Sequence, residues 1–269
     1  MLYVCATPIG NISDCSQRLI DTLKQVDAVA AEDTRRAQHL FTLLSIPPTS
    51  FVRLDQHKER DGSPQILSLL TQQKHVALLS DAGTPAISDP GAYLVSSCIA
   101  QNIPVCPIPG ACSITALLSV SGFDASTFVF GGFFPRQTRA ARDCLQRLSH
   151  AMAPIVFFES PKRLLKTLSF LVNLYPQQRM VCAKELSKLH EGLFYGSVAS
   201  VYQQVQSISL KGEWCFVLDL PSPDTLKLSE LLPYMLSLGF THKQILALSK
   251  KLGLSKNVVY EWLLTHSSS

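Results

Sequence analysis

Ser80-Asp81-Ala82-Gly83-Thr84-Pro85-Ala86-Ile87-Ser88-Asp89-Pro90-Gly91 follows directly on the apolar run Val76–Leu79. Its last residues, Asp89-Pro90, open a helical pattern carrying Leu94, Val95 and Cys98. A short buried strand, a loop of small and acidic residues and then a helix make up one unit of an α/β sheet. The same unit recurs on both sides of this stretch. Towards the N-terminus, Tyr3–Ala6 reads as a strand, Leu19, Leu23 and Val26 mark one face of a helix, and Ala28–Ala31 forms the next strand. Ser63 and Pro64 read as the N-cap and first-turn residues of a helix that continues through Ile66, Leu67 and Leu70. Towards the C-terminus, Val105–Ile108 is a strand and Ser113 starts a further helix.

The alternation pauses at Ser121-Gly122-Phe123-Asp124, which predicts a first α/β domain over residues 1–122. A second α/β domain is predicted over 123–222. Its strands are Phe128–Phe130, Ile155–Phe158, Met180–Ala183, Leu193–Tyr195 and Cys215–Leu218, and its helices Thr138–Ser149, Arg163–Leu174 and Val198–Gln206. Pro221-Ser222-Pro223 reads as a linker to a tail over 223–269. There, Leu238-Gly239-Phe240-Thr241 is a turn with an N-cap threonine, followed by the apolar face Ile245, Leu246, Leu248 and Leu252. Gly253-Leu254-Ser255 makes a second turn before Val258, Val259, Trp262 and Leu263. Two short helices joined by a glycine-containing turn match a helix-turn-helix, and equally a small helical cap packed on the body.

The composition suits a folded cytosolic protein. Of 269 residues, 46% are apolar and 16% charged. No basic segment precedes an apolar run at the N-terminus, and no apolar run approaches the length of a membrane span. The eight cysteines contain no C-x-x-C pair and sit mostly in apolar stretches, so they read as reduced, buried thiols with no metal. The net charge is +4, which permits a nucleic-acid partner without indicating one. From Thr225 onward, five lysines face two glutamates, so the tail is a basic module.

Ligands of open α/β sheets sit beyond the carboxyl ends of the strands. Four loops leave that edge: Thr7–Asn11, Glu32–Arg35, Ser80–Gly91 and Pro109–Ser113. Their small residues let backbone approach a ligand closely, and aspartate accepts from hydroxyl and amino groups. Any one of them alone reads more readily as a tight turn with a helix cap; four at one edge point to a ligand. The first loop lacks G-x-G-x-x-G, Pro8 removes an N–H that a pyrophosphate needs, and no Walker motif is present. A ligand held without a phosphate nest fits a nucleoside-like molecule such as S-adenosylmethionine.

With these loops in view, the chain resembles the tetrapyrrole methylase superfamily and, within it, the ribosomal RNA branch of the small-subunit methyltransferase I type. The resemblance rests on Thr7–Asn11, Ala31–Arg35, Ser80–Gly91 and Pro109–Ala111. It continues through Gly132–Arg136, Phe158–Arg163, Lys184–Glu191 and Lys211–Glu213. It implies two α/β domains with S-adenosylmethionine in the cleft between them, a C-terminal helix-turn-helix-like extension and a homodimer. It further implies 2′-O-methylation of a cytidine in the decoding region of 16S ribosomal RNA, acting on the small ribosomal subunit. Carried over by position, the cofactor-binding residues are Pro8, Ile9, Asp81, Ala82, Gly83, Thr84, Ser113, Ile114, Phe158 and Leu186. Two positions depart from the family pattern. Ala86 stands where glycine is expected, and Cys112-Ser113 follows Pro-Gly-Ala where Ser-Ala is usual.

Methyl transfer from a sulfonium to a ribose hydroxyl chiefly requires alignment, and a base that takes the hydroxyl proton adds to it. Asp33 and Glu185 are the candidate catalytic carboxylates; a structural role for Asp33 in an ion-pair and capping cluster is the competing reading. His57 and His190 are further acid–base candidates, though a lone histidine beside charged neighbours is more often a surface or hydrogen-bonded residue. Phosphate contacts call for arginine and lysine. Arg35, Arg136, Arg139, Lys162 and Arg163 are the candidate RNA-binding residues, with Arg36 and Arg142 beside them. The rival readings are a methylase of corrinoid or tetrapyrrole precursors and a non-catalytic RNA-binding protein.

Overall fold

The computed structural model describes residues 1–55, 59–221, 231–251 and 254–266. His57, two residues of the expected linker (Ser222 and Pro223) and Gly253 lie outside the described residues. Two compact units make up the chain. The first comprises Met1–Gly122, Cys182–Phe194 and Ser209–Cys215, and the second Phe123–Val181, Tyr195–Ile208 and Phe216–Ser269.

In the first unit, β1 (Leu2–Cys5), β2 (Ala28–Ala31), β3 (Ser50–Arg53), β4 (Val76–Leu79) and β5 (Val105–Ile108) form a parallel sheet in the order β3-β2-β4-β1-β5. Its helices are α1 (Gln17–Gln25), α2 (Thr34–Leu43), α3 (Glu59–Thr71), α4 (Ala92–Ala100) and α5 (Ser113–Ser121). Strand side chains alternate between two covered faces. Cys5, Val29, Ala31, Ala77 and Leu79 pack with Leu19, Leu23, Ala37 and Phe41 of α1 and α2. Leu2, Ala28, Ala30, Val76 and Leu78 pack with Ile66, Leu70, Leu94 and Cys98 of α3 and α4. Leu78 and Leu79 are 0% and 1% exposed yet serve opposite faces, and each such burial contributes about 1.5–3 kcal/mol. A sheet covered on both faces reads in sequence as continuous apolar runs, as these strands do.

Register then sets the working edge. Cys5 pairs with both Leu79 and Ile108, Leu79 with Ala31, and Ala31 with Arg53. The carboxyl ends of all five strands therefore lie in one row, and the loops that leave them start level.

Two elements lie beyond the sequence expectations, α2 and β3, which meet where Phe41 packs edge-on against Phe51 at 5.2 Å between ring centres. The start of α3 is also corrected: the helix already covers Glu59, so Pro64 lies inside it and Ser63 is no N-cap. Instead, the Ser63 hydroxyl donates to the Glu59 carbonyl at 2.7 Å. The physical reason is tertiary. Glu59 Oε1 accepts from the backbone N–H groups of Gly91 and Leu94, both at 3.0 Å, and so caps α4 from outside. Gly91 precedes α4 and has no side chain to do this itself.

The second sheet comprises β6 (Val129–Phe133), β7 (Ile155–Glu159), β8 (Arg179–Lys184), β9 (Gly192–Ser197) and β10 (Trp214–Leu218), in the order β6-β7-β10-β8-β9. Helices α6 (Thr138–Ser149), α7 (Leu164–Leu174) and α8 (Val198–Gln206) accompany it. Phe134 meets Phe157 and Phe170 edge-on, and Phe157 meets Phe216 at 5.4 Å, an aromatic core at favourable tilted geometries. Within the tail, residues 231–237 are helical (α9), followed by α10 (His242–Lys251) and α11 (Lys256–His266). Leu232, Met235, Ile245, Val259 and Leu263 close a small core of their own. Thr241 caps α10 as expected: its hydroxyl oxygen accepts from Gln244 N–H at 3.4 Å, and its own N–H donates to Gln244 Oε1 at 2.8 Å. All eight cysteines are free. Among the described residues, no helix is long and apolar enough to cross a membrane, and no group of His, Cys, Asp and Glu is arranged to hold a metal.

Replacing Glu59 by alanine leaves two helix N–H groups without their partner. The expected cost is about 1–2 kcal/mol, read as a lower urea midpoint at unchanged slope; an unmoved midpoint would show that the cap contributes nothing.

Candidate active site

Hydrogen bonds lace the loops leaving β1, β4 and β5 together. Thr7 N–H donates to the Gly83 carbonyl at 2.9 Å and Gly83 N–H donates back to the Thr7 carbonyl at 3.1 Å, an isolated antiparallel bridge above a parallel sheet. The Ser80 hydroxyl adds a bond to the Gly83 carbonyl at 3.1 Å. The Thr84 hydroxyl reaches across to the Ala111 carbonyl at 3.2 Å. Gly83 has φ +79°, and a Cβ there would stand 3.3 Å from Ile9 Cγ2. At Gly110 a Cβ would press on the Ala6 carbonyl oxygen at 3.0 Å. Gly83 is called for by its left-handed backbone, and Gly110 because it meets the Ala6 backbone. Ala86, the departure from the family pattern, has φ +66° without being glycine and so carries left-handed strain.

The segment Lys184–Glu191 belongs to this unit too. Glu185 N–H donates to the Glu213 carbonyl at 2.9 Å, and Glu213 N–H donates to Glu185 Oε1 at 2.7 Å. Lys188 Nζ bridges Glu185 and Glu213, at 3.0 Å from each. Gly10 packs so closely under Lys188 and the Leu186 carbonyl that a side chain has no room there. Ser187 bonds Asp14, fastening the same segment to the chain just past the first loop.

A cavity of about 620 Å³ opens beside these loops, within the range of roughly 300–1,000 Å³ typical of small-molecule sites. Thr7, Pro8, Gly10 and Ile12 form one side of it, Leu79, Ser80 and Asp81 another. Asp33, Arg35, Arg36, His39, Leu40 and Leu43 of the β2 loop and α2 supply the rest. Arg36 pairs with Asp81 at 3.2 Å.

The carboxylates of this region differ in proton affinity. Asp33 is the N-cap of α2, accepting from Arg35 N–H at 3.0 Å. The Arg35 guanidinium forks onto its two oxygens at 3.0 and 2.7 Å and holds the carboxyl well below the usual range. Both roles are those of the ion-pair and capping reading. For Glu185, burial pushes the pKa up, but the Glu213 N–H and Lys188 outweigh it and the net shift is downward. Asp89 goes the other way: burial, and then the nearby charges of Glu32 and Asp81, push it up to about 6.

Of the residues singled out from sequence, Pro8, Asp33, Arg35 and Asp81 line the cavity. Ile9, Gly83 and Thr84 belong to the lacing beside it, with Ala82 between Asp81 and Gly83. Ser113 is the first residue of α5, while Ile114 turns into the core. Glu185 and Leu186 are in the segment over Gly10. Phe158 lies in the second unit, edge-on to Phe130 at 5.0 Å and Phe133 at 5.6 Å. There Arg136, Arg139 and Lys162 are exposed. Arg163 instead donates to the Phe134 carbonyl at 2.6 Å and pairs with the fully buried Glu159 carboxylate at 3.0 Å. That leaves its charge compensated inside the unit rather than offered to a phosphate. His190 is exposed. Sequence reasoning did not single out Ile12, His39, Leu40, Leu43 or the Glu32–Asp81–Asp89 group. Recognising Asp33 as a cap ahead of Ala37 and Phe41 would have revealed α2 and, with it, the residues on its cavity side.

Two measurements test this geometry. Ala86→Gly relieves the left-handed strain and should raise unfolding free energy by about 1 kcal/mol; a loss of stability would show that the loop is unstrained at Ala86. Because the folded chain holds the Asp89 proton more tightly than the unfolded chain, whose carboxyl titrates near 3.8, stability should fall as pH rises from about 4 to about 6. Asp89→Asn should flatten that part of the profile, and an unaltered profile would assign the slope to another group.

Comparison with known proteins places this geometry in a lineage. Residues 1–202 match the family model of tetrapyrrole (corrin/porphyrin) methylases. A protein of Synechocystis sp. named ribosomal RNA small subunit methyltransferase I is 38% identical over 251 residues, covering 91% of this chain and 90% of that protein. The protein of the same name from Pasteurella multocida is 36% identical over 277 residues, covering 99% of this chain and 97% of its own length. Among solved structures, diphthine synthase superposes with a TM-score of 0.62 at 12% identity, covering 81% of this chain and 88% of that one. A cobalt precorrin-4 methyltransferase reaches 0.61 at 14%, covering 81% and 93%. At such identities these two likenesses establish the fold alone. The chain belongs to the tetrapyrrole (corrin/porphyrin) methylase family, among relatives named ribosomal RNA small subunit methyltransferase I.

Proposed function

We propose that the chain is an S-adenosylmethionine-dependent methyltransferase that acts on the 2′-hydroxyl of a cytidine ribose in the decoding region of 16S ribosomal RNA. The observation that carries this reading is the laced set of loops around Asp81, which presents a carboxylate to a cavity whose other near walls are Thr7, Pro8, Gly10 and Leu79. The names and full-length similarity of the relatives support the RNA substrate. The cytidine, its 2′-oxygen and a homodimer come from the family resemblance.

The residues present fit the cofactor. S-adenosylmethionine is a cation joined to an apolar-faced nucleoside, and this cavity joins the Asp81 carboxylate to the small and apolar walls of Thr7, Pro8, Gly10 and Leu79, with Arg35, Arg36 and His39 on its α2 side. Asp81, with the backbone of Ala82, Gly83 and Thr84, would hold its polar end, and Pro8 and Ile9 its apolar face. Ser113 would contribute from the start of α5. When bound, the cofactor supplies a methyl group already activated by the positive sulfonium. What remains for the protein is alignment, and well-oriented reactants gain about 7–11 kcal/mol in this way. The lacing holds Asp81 and its neighbours in one geometry, so little reorganisation is left to the reaction. Asp33 has too low a proton affinity to be an effective base, and we assign it to positioning Arg35 at the cavity. Glu185 is likewise held by Lys188 and the Glu213 N–H, and we assign it to shaping the segment over Gly10. Asp89 ionises near neutrality and senses Asp81. A cation held at Asp81 favours the ionised form of Asp89, so cofactor affinity should rise with pH through about 6.

Calorimetry should show S-adenosylmethionine binding that strengthens between about pH 5 and 7 and weakens about tenfold or more in Asp81→Ala, the loss of one charged contact. Small ribosomal subunits from a strain lacking the corresponding gene, incubated with labelled cofactor, should gain one methyl group that maps to a cytidine ribose. No affinity for the cofactor would refute the proposal. Binding without RNA methylation, together with methylation of a tetrapyrrole precursor, would transfer the chain to the small-molecule branch.

A further inference from the structure

The cavity has a second side that the cofactor reading leaves unused. Helix α2 buries Ala37 and Phe41 in the core and turns Arg36, His39, Leu40 and Leu43 to the cavity. Positions 36, 40 and 43 recur at helical spacing, so they form one stripe. Leu43 is 55% exposed, and Ile12, which faces the same cavity from the first loop, is 40% exposed. These large apolar side chains stand open to water in a cavity that also holds two guanidinium groups and an imidazole. Leu43 and Ile12 lie outside the buried clusters of this unit.

We infer that this α2 face is the subsite for the target nucleotide: Ile12, Leu40 and Leu43 receive its base, and Arg35 and Arg36 its flanking phosphates. The inference rests on the RNA-methylating reading and deepens it by naming where the RNA enters. Arg35 and Arg36 already pair with Asp33 and Asp81, but their side chains remain 87% and 62% exposed and keep N–H groups for an anion, so charge complementarity selects the occupant. Cations occupy the first turn of α2 and apolar side chains its last, separated along the helix by about 10 Å at 1.5 Å per residue. A ligand with an anionic end and a flat apolar end matches this order, and a single nucleotide has both. The cavity is too small for a base still stacked and paired in a helix, so the target base has to be extruded to enter. Enzymes that modify one nucleotide commonly take it out of the stack in this way and grip the base between apolar side chains. His39 adds a ring nitrogen that can meet a base edge. The arrangement also brings the RNA to the same cavity as Asp81, so donor and acceptor share one space.

The test uses the full-length protein with S-adenosylmethionine and small ribosomal subunits. Leu43→Glu places a carboxylate where the base would lie, and Leu43→Ala removes the apolar surface without adding charge. Because Leu43 is exposed, neither should disturb the core, and thermal melting with cofactor calorimetry checks this. Leu43→Ala is expected to lower kcat/KM for the subunit about tenfold, the size expected when one base loses its stacking surface. Leu43→Glu should lower it further, with cofactor affinity unchanged within about twofold in both. Cytidine 5′-monophosphate should protect His39 from diethyl pyrocarbonate in the wild type and fail to do so in Leu43→Glu. If both variants methylate subunits as well as the wild type, the subsite assignment is overturned while the RNA-methylating reading stands. If the wild type methylates no ribosomal RNA but a porphyrin carboxylate protects His39, the face holds a tetrapyrrole instead and the nucleotide assignment falls.

Discussion

Two backbone hydrogen bonds, exchanged between Thr7 and Gly83 at 2.9 and 3.1 Å, tie the loop leaving β1 to the loop leaving β4. Individually such bonds contribute about 0.5–1.5 kcal/mol, and their importance is geometric. β1 and β4 are neighbours in register, so Cys5 and Leu79 end level. Beyond that shared edge the bridge joins the two loops again, two residues past Cys5 and four past Leu79. Thr84 extends the tie to the loop after β5 through Ala111. Asp81 is thereby placed by three strands at once, and the cavity beside it inherits the rigidity of the sheet. Small residues are needed where the loops touch, since a side chain at Gly83 or Gly110 would push them apart.

Electrostatics then divides the labour among the acidic groups around that cavity. Asp33 is saturated with donors from Arg35 and serves as a helix cap. Asp81 shares Arg36 across the cavity at 3.2 Å. Asp89 has burial and two like-charged neighbours against it and keeps its proton to about pH 6. Asp89, once ionised, adds negative charge beside Asp81, which favours a cationic ligand there. The exposed arginines and apolar residues of α2 are prepared for the opposite, an anionic ligand with a flat apolar part. One cavity therefore presents two chemically distinct walls, which suits the meeting of a sulfonium and a nucleotide.

The second unit and the tail reach stability by separate means. The phenylalanine cluster of Phe134, Phe157, Phe170 and Phe216 fills one core. The buried Glu159 carboxylate is compensated there by the Ser160 N–H, the Thr167 hydroxyl and Arg163, which all donate to it. The tail closes a five-residue core of its own. In both, a motif visible in sequence has a use that composition alone did not disclose: Arg163 answers an internal carboxylate rather than an external phosphate.

The amino-acid sequence by itself determined the alternation of strand, loop and helix, because buried parallel strands are short apolar runs and their loops are marked by Gly, Pro, Ser and Asp. Ala28–Ala31, Val76–Leu79 and Val105–Ile108 were legible to the residue, as were the motif loops and the capped helix at Thr241. It did not disclose α2 and β3, whose mixed sequences Thr34–Leu43 and Ser50–Arg53 carry weak periodicity and depend on contacts such as Phe41 with Phe51. Nor did it disclose the start of α3, decided by Glu59 reaching a helix more than thirty residues away. Tertiary structure alone decided which acidic residue is held ionised and which keeps its proton. Proton affinity depends on neighbours in space: Arg35 acts on Asp33 from two residues away, but Glu32 and Asp81 reach Asp89 only through the fold.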